Sequence, residues 1–344
     1  MSSNGYLNWV IRHTKTSWWH DSADPRELEA GLERGAVGVT TNPFLSNLAL
    51  ATNRERWADS VQAVLAQDPS KEQKAEELMR IVVTHAARMF QPEYERSGGT
   101  SGYVCAQVNP LRAGERESML PMARRFHAWA PNIAVKLPAT AAGLDVLEDC
   151  VAEGITATAT VSFTVPQAVA IAERHRNGVR RAQAAGVRPG RCYAVIMIGR
   201  LDDYLREVAR DNQAAVTEDD IRQAGLAATK RAYRIYRQRG YEAVLLVAAL
   251  RGTYHMTELA GADLIMSIAP PFQERLVADT LPREERIDAE VPAAVIDRLR
   301  QVPEFVRAYE PDGMSPREFV SYGVTQRTLS QFAESGWRPL ENFR

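Results

Sequence analysis

Short apolar runs alternate with longer amphipathic stretches from end to end of this sequence, and that alternation decides its fold class. Runs at residues 16–20, 36–41, 102–108, 133–136, 156–162, 192–198, 243–247 and 264–268 have the length and composition of strands, and stretches of helical periodicity separate them. Parallel neighbours need a long crossover, which a helix supplies, so a repeated strand–helix alternation predicts a parallel sheet. Eight such strands, with no linker rich in Gly, Ser or Pro between them, predict one closed (β/α)8 TIM barrel with extra helices rather than two domains. The length of 344 residues accommodates either. The reading is therefore a single domain over residues 1–344, with the barrel core at about 16–275 and a C-terminal helical extension at about 276–344.

The helix signals agree. Asp24-Pro25-Arg26-Glu27 reads as an N-cap, a proline in the first turn and a capping-box acid, with Leu28 and Leu32 on the apolar face and Gly35 after the end. Residues 53–96 and 217–239 are long helical patterns that exceed the minimal barrel. The tail, 315–344, carries Trp337 and Phe343 and is expected to pack a last helix over the barrel.

Bulk properties exclude several functions. The net charge is −1 and the isoelectric point about 6.6, so no global basic field holds nucleic acid or an anionic membrane. Basic residues at 176–181 are interleaved with a helical pattern and read as a solvated face. Cys105, Cys150 and Cys192 are odd in number and widely spaced, which provides neither a disulfide framework nor a metal set and fits a reducing cytoplasm. The N-terminal residues are polar and lack an export signal core, and no run approaches the roughly 20 apolar residues of a membrane helix. Metal-ligand spacings, Gly-x-Gly-x-x-Gly and Walker loops are absent, so neither a metal nor an organic cofactor is expected.

Lysine usage singles out one residue. Only Lys15, Lys71, Lys74, Lys136 and Lys230 are lysine, and four of them have polar or charged neighbours, as surface lysines do. Lys136 sits inside the apolar run Ile133-Ala134-Val135-Lys136-Leu137. A lysine there must be paired, extended to solvent or functional. In a parallel barrel the active site gathers at the C-terminal strand ends. The polar residues found there are Asp21, Asn42, Gln107, Lys136, Thr158 with Thr160, Arg200, Arg251 and Ser267.

The local sequences around these positions resemble the transaldolase family. Trp19-His20-Asp21-Ser22 is similar to the family's first-strand aspartate segment, and residues 38–43 read GVTTNP, close to a family signature. Ala134-Val135-Lys136-Leu137-Pro138-Ala139-Thr140 with Gly143-Leu144 resembles the Schiff-base lysine motif. Residues 154–163 resemble the strand that follows. Gly199-Arg200-Leu201-Asp202 and Ala248-Ala249-Leu250-Arg251 resemble the two arginine segments, and residues 258–270 the last strand region. The likeness runs from about 17 to about 330.

The resemblance implies roles. Lys136 attacks a ketose carbonyl to form an imine, an electron sink for breaking the bond between C3 and C4. Burial depresses the amine's pKa and favours the nucleophile; the competing role is a structural ion pair. Asp21 takes the proton of the C4 hydroxyl; its competing role is a helix cap, which Asp24 fits better. Asn42 and Thr158 contact substrate, although Asn42 before Pro43 also suits turn chemistry. Arg200 and Arg251 form a phosphate clamp, since guanidinium forks match phosphate, or else structural salt bridges. Thr160 orients a catalytic water together with the residue at 107.

At 107 the chain departs from the family, with Gln107 where transaldolases carry glutamate. An amide cannot accept a proton as a carboxylate does. Related fructose-6-phosphate aldolases also have Gln there, with a sixth-strand tyrosine, but that position is Met197 here. Val195 replaces a phosphate-holding serine, and Thr158 an asparagine. His20 and His255 are the alternative proton carriers, although strand alternation turns His20 away from Asp21. Trp18 and Trp19 read as packing.

The expected function is thus transfer of a dihydroxyacetone unit between phosphorylated sugars in cytoplasmic carbohydrate metabolism, at the pentose phosphate pathway. A homodimer is a candidate assembly. The alternatives are a fructose-6-phosphate-aldolase-like lyase or unusual-sugar aldolase, and a sugar-phosphate-binding pseudoenzyme.

Overall fold

The computed structural model describes residues 5–278 and 281–344. Residues 1–4 of the polar N-terminus and 279–280 of the expected extension lie outside the described residues. Eight parallel strands close on themselves in chain order: β1 Ser17–His20, β2 Gly38–Val39, β3 Tyr103–Gln107, β4 Ile133–Pro138, β5 Ala157–Thr160, β6 Cys192–Met197, β7 Val244–Ala248 and β8 Ile265–Ile268. β8 pairs with β1 from Ser17↔Ile265 to His20↔Ile268, which shuts the barrel. Each strand lies within a run expected from sequence, or one residue or two beyond it. The fold is a (β/α)8 barrel.

Strand alternation decides what fills it. Trp19, Tyr103 and Tyr193 meet inside, with ring centroids 4.6 Å apart for Trp19–Tyr193 and 5.8 Å for Tyr103–Tyr193. Gly38 on β2 makes room for them, because a Cβ there would stand 2.5 Å from the Trp19 indole. Trp18 and His20 point the other way, under the helices, and both are buried. Above the aromatic floor, toward the C-terminal strand ends, Gln107, Lys136, Thr158 and Ser267 make the inward positions of β3, β4, β5 and β8 polar, while Val195 and Met197 keep β6 apolar.

The helix Pro25–Glu33 is capped by Asp24, whose Oδ1 accepts from the N–H groups of Arg26 (2.9 Å) and Glu27 (3.3 Å). Glu27 does not complete a capping box; its carboxylate accepts from the Ser22 hydroxyl instead. The pattern at 53–96 is two helices, Arg54–Leu65 and Lys71–Arg96. The break falls at Asp68 (φ +45°) and Pro69, and Ser70 with Gln73 caps the second helix. Tyr6–His13, unanticipated, is an amphipathic helix with Tyr6, Leu7 and Val10 buried. Lys230 also differs from expectation: it is buried, and its Nζ donates to Glu258 (3.2 Å), Arg286 O (3.0 Å) and Ala289 O (2.6 Å). Its polar neighbours in sequence belong to the outer face of Glu218–Arg239, while position 230 faces inward.

After β8 the chain crosses the barrel as several short helices. Gly323–Phe332 and the turn Ala333–Trp337 reach the C-terminal end of the strands, where Gly336 packs against the backbone of Pro43 and Phe44. Trp337 is fully buried and its Nε1 donates to Glu341 (3.1 Å).

Candidate active site

Lys136 is the penultimate inward position of β4, with Gln107 of β3 and Thr158 of β5 as register partners. It is buried, and its Nζ donates to the carbonyl of Thr41 (3.1 Å). Burial lowers its pKa; Arg200 adds to the fall, while Cys105 and Asp21 oppose it. No carboxylate hydrogen-bonds the amine among the described residues, so the structural ion pair weighed for it is not what holds it.

Asp21 follows β1 immediately. Its Oδ1 accepts from Thr40 Oγ1 (2.8 Å), and that hydroxyl also lies 2.6 Å from Ser267 Oγ. Burial raises the Asp21 pKa against the opposing pull of Thr40, Lys136, Ser267 and Arg200. Asp21 and Lys136 are thus held by adjacent residues: the side chain of Thr40 carries the acid and the carbonyl of Thr41 the amine. Thr40 escaped the strand-end survey, though it lies within the GVTTNP run.

Gln107 Oε1 and Thr160 Oγ1 are buried without a protein partner among the described residues. Two such polar atoms at the strand ends are fit to hold a water or a substrate hydroxyl, since leaving them unpaired is costly. Thr160 precedes Val161, a β-branched residue at φ +53°. Gln167 braces that strained turn, donating from Nε2 to Val161 O (3.1 Å) and accepting from Phe163 N (2.9 Å). Thr158 Oγ1 accepts from the Cys105 thiol (3.5 Å). Asn42 caps the helix Pro43–Thr52 through Oδ1, which accepts from Leu45 N (2.9 Å). The cap uses only the oxygen and leaves the amide N–H groups for a ligand.

The two alternative proton carriers do not face this cluster. His20 lies on the outside of β1, with Nδ1 2.9 Å from Gln273 Nε2 and its ring against Gly31; burial lowers its pKa to about 4. His255 is fully buried, 3.0 Å from Asp202 Oδ2 through Nε2, and its Nδ1 accepts from Arg251 N (3.2 Å).

The arginines line a separate hollow of about 520 Å³. Arg251 donates from Nε and Nη2 to Asp203 Oδ2 (2.9 and 2.7 Å) and from Nη1 to the carbonyls of Ala249 (2.9 Å) and Leu250 (3.2 Å). The salt bridge weighed for Arg251 is therefore present. Burial pulls the Asp203 carboxyl upward, but Arg251 and Arg206 outweigh it and hold the pKa below its ordinary value. Arg200 donates from Nη1 to Gln331 Oε1 (2.6 Å), and its guanidinium lies 5.4 Å from the Phe332 ring centroid. Burial lowers the Arg200 pKa, with Arg251 contributing.

Fold and site together define a (β/α)8 barrel with the buried Lys136 and the carboxyl group of Asp21 at the C-terminal ends of its strands. A family described as Transaldolase/Fructose-6-phosphate aldolase matches residues 18–314. The chain is 32% identical over 312 residues to a transaldolase of Neisseria gonorrhoeae, covering 90% of this chain and 80% of that one. It is 28% identical over 302 residues to a transaldolase of Thiobacillus denitrificans (85% and 82%) and 30% identical over 318 residues to one of Neisseria meningitidis serogroup A (91% and 82%). This chain belongs to the transaldolase/fructose-6-phosphate aldolase family.

Proposed function

We propose that the protein moves a dihydroxyacetone unit between sugar phosphates through a Schiff base on Lys136. The observation that carries this reading is a buried amine with depressed basicity at a strand end, set close enough to the Asp21 carboxyl group for that charge to oppose the fall in its pKa. Neutral lysine is the nucleophile and needs no separate base to expose its lone pair. The amine adds to the ketose carbonyl at C2; the carbinolamine hydroxyl takes a proton from the Asp21 carboxylic acid and leaves as water, and an iminium remains beside the Asp21 carboxylate. Asp21, as carboxylate, then takes the C4 hydroxyl proton. The C3–C4 electrons flow into the iminium, an aldose departs and an enamine stays on Lys136. Addition of the enamine to a second aldose and hydrolysis of the imine complete the transfer.

With Gln107 at the water position, and with His20 and His255 turned away, Asp21 is the carboxyl group left to move protons in imine formation as well as in bond cleavage. Gln107 and Thr160 orient the water. Gln107 also supports a second reading, a lyase like the fructose-6-phosphate aldolases, in which the dihydroxyacetone unit is released rather than passed on. Borohydride reduction with a panel of ketoses tests the common step. A mass increase on Lys136 matching the reduced donor is expected. Failure of every ketose to label Lys136 rejects both readings. Acceptor-dependent turnover then separates transferase from lyase.

A further inference from the structure

The family match ends at residue 314, yet the arginine hollow has a wall that lies beyond it. Val324, Arg327, Thr328 and Gln331, spaced to share one face of the helix Gly323–Phe332, line the same hollow as Arg200 and Arg251. Two of these side chains are arranged for a ligand. Gln331 receives Arg200 Nη1 on Oε1 at 2.6 Å. Because guanidinium only donates, this contact fixes which end of the amide is oxygen, and the two Nε2 hydrogens remain to be given. Thr328 is fully buried, and its Oγ1 has no protein partner among the described residues. A helical threonine ordinarily returns its hydroxyl to the carbonyl one turn back; this one does not.

The charge of the hollow states what it takes. Arg200, Arg206, Arg210, Arg251 and Arg327 line it with Asp203 and Glu207, and Glu218, outside the hollow, holds Arg206. Asp203 is shared between Arg251 and Arg206, and Glu207 is held by Arg327 (2.7 Å). Arg251 has its Nε and Nη1 donors, and part of Nη2, already engaged, whereas the bond to Gln331 takes up only Nη1 of Arg200. Arg200 is therefore the fork that an anion meets, and Gln331 with Phe332 sets its plane.

We propose that Thr328 and Gln331, on the C-terminal helix, complete the subsite for the substrate's terminal phosphate and determine its specificity, supplying the donors that Val195 does not. The proposal rests on the reading of Arg200 and Arg251 as a phosphate clamp, and it adds a helix outside the matched family region to that clamp. It also explains how a barrel with valine at 195 keeps a phosphate site, since the missing hydroxyl is supplied from another direction.

The test uses the full-length protein and inorganic phosphate as probe, with Thr328→Val, which is isosteric, and Gln331→Ala at an exposed position. A lost hydrogen bond to a charged group corresponds to about tenfold or more in affinity. Each variant is expected to raise the phosphate Kd by about that factor and to raise KM for fructose 6-phosphate rather than to lower kcat. Val195→Ser is expected to change the phosphate Kd by less than about twofold in the wild-type background and to tighten it in the Thr328→Val background, where the donor is missing. Phosphate binding that is equal in wild type, Thr328→Val and Gln331→Ala overturns the proposal, as does a wild type that does not bind phosphate at millimolar concentration. Phosphate binding is read without any ketose, so failure of Lys136 labelling, which rejects the proposed function, is a separate result.

Discussion

Lys136 and Asp21 each carry a cost to the folded state that the unfolded chain does not have. Burial lowers the lysine pKa from 10.5, so the native protein binds fewer protons at this site than the unfolded one. The resulting penalty is full below the folded pKa and disappears as pH rises past the unfolded value. Lys136→Met removes it. The variant is expected to melt at or above the wild-type temperature at pH 7, with the difference shrinking toward pH 11; a lower Tm at pH 7 contradicts a strained, functional lysine. Gln107 supplies a second prediction. General acid–base help is worth roughly 10²–10⁴-fold, so Gln107→Glu should speed imine hydrolysis by at least about tenfold in single-turnover experiments. Equal rates would show that the orphaned Oε1 does not hold the reacting water. At this scale the sequence was informative where a residue type clashed with its run, as Lys136 does. It was silent about Thr40, whose importance comes from contacts with Asp21 and Ser267 across three strands.

Helix Ile198–Asp211 carries Arg200, and the loop before helix Thr253–Leu259 carries Arg251. A directed chain of hydrogen bonds joins them. Gly225 N donates to Asp202 Oδ1 (2.8 Å), Asp202 Oδ2 faces His255 Nε2 (3.0 Å), and His255 Nδ1 accepts from Arg251 N. The backbone N–H at one end makes Nδ1 the acceptor, so Nε2 carries the hydrogen and Asp202 must accept on both oxygens. An amide cannot do so. Asp202→Asn is therefore expected to destabilise the protein by about 1–3 kcal/mol, the cost of a buried donor facing a donor. The midpoint of denaturant unfolding measures it, and an unchanged midpoint contradicts the assigned tautomer. The eight strands were legible because β-branched and apolar runs stop abruptly at polar residues. The contact between Arg200 and Gln331 was not legible, because it joins positions 131 apart and depends on where the tail crosses the barrel. Lys230 misled for a related reason: sequence neighbours report the outer face of a helix, not the face that the residue itself occupies.

The molecule as a whole places the buried amine of Lys136 at the C-terminal strand ends of a closed barrel, with an arginine-lined hollow beside it and the helix Gly323–Phe332 as that hollow's outer wall. In this reading the iminium provides the electron sink, a task that zinc performs in metal-dependent aldolases. Activity in excess chelator is expected to equal the untreated rate; a loss restored by added metal contradicts this. The most direct test of the central claim is intact-protein and peptide mass spectrometry after borohydride treatment with fructose 6-phosphate and with dihydroxyacetone, on wild type and on Lys136→Met. The proposed chemistry predicts one adduct of the reduced donor, located on Lys136 in the wild type and absent from a folded Lys136→Met. An adduct that persists in Lys136→Met, or one that maps to another lysine, would contradict it.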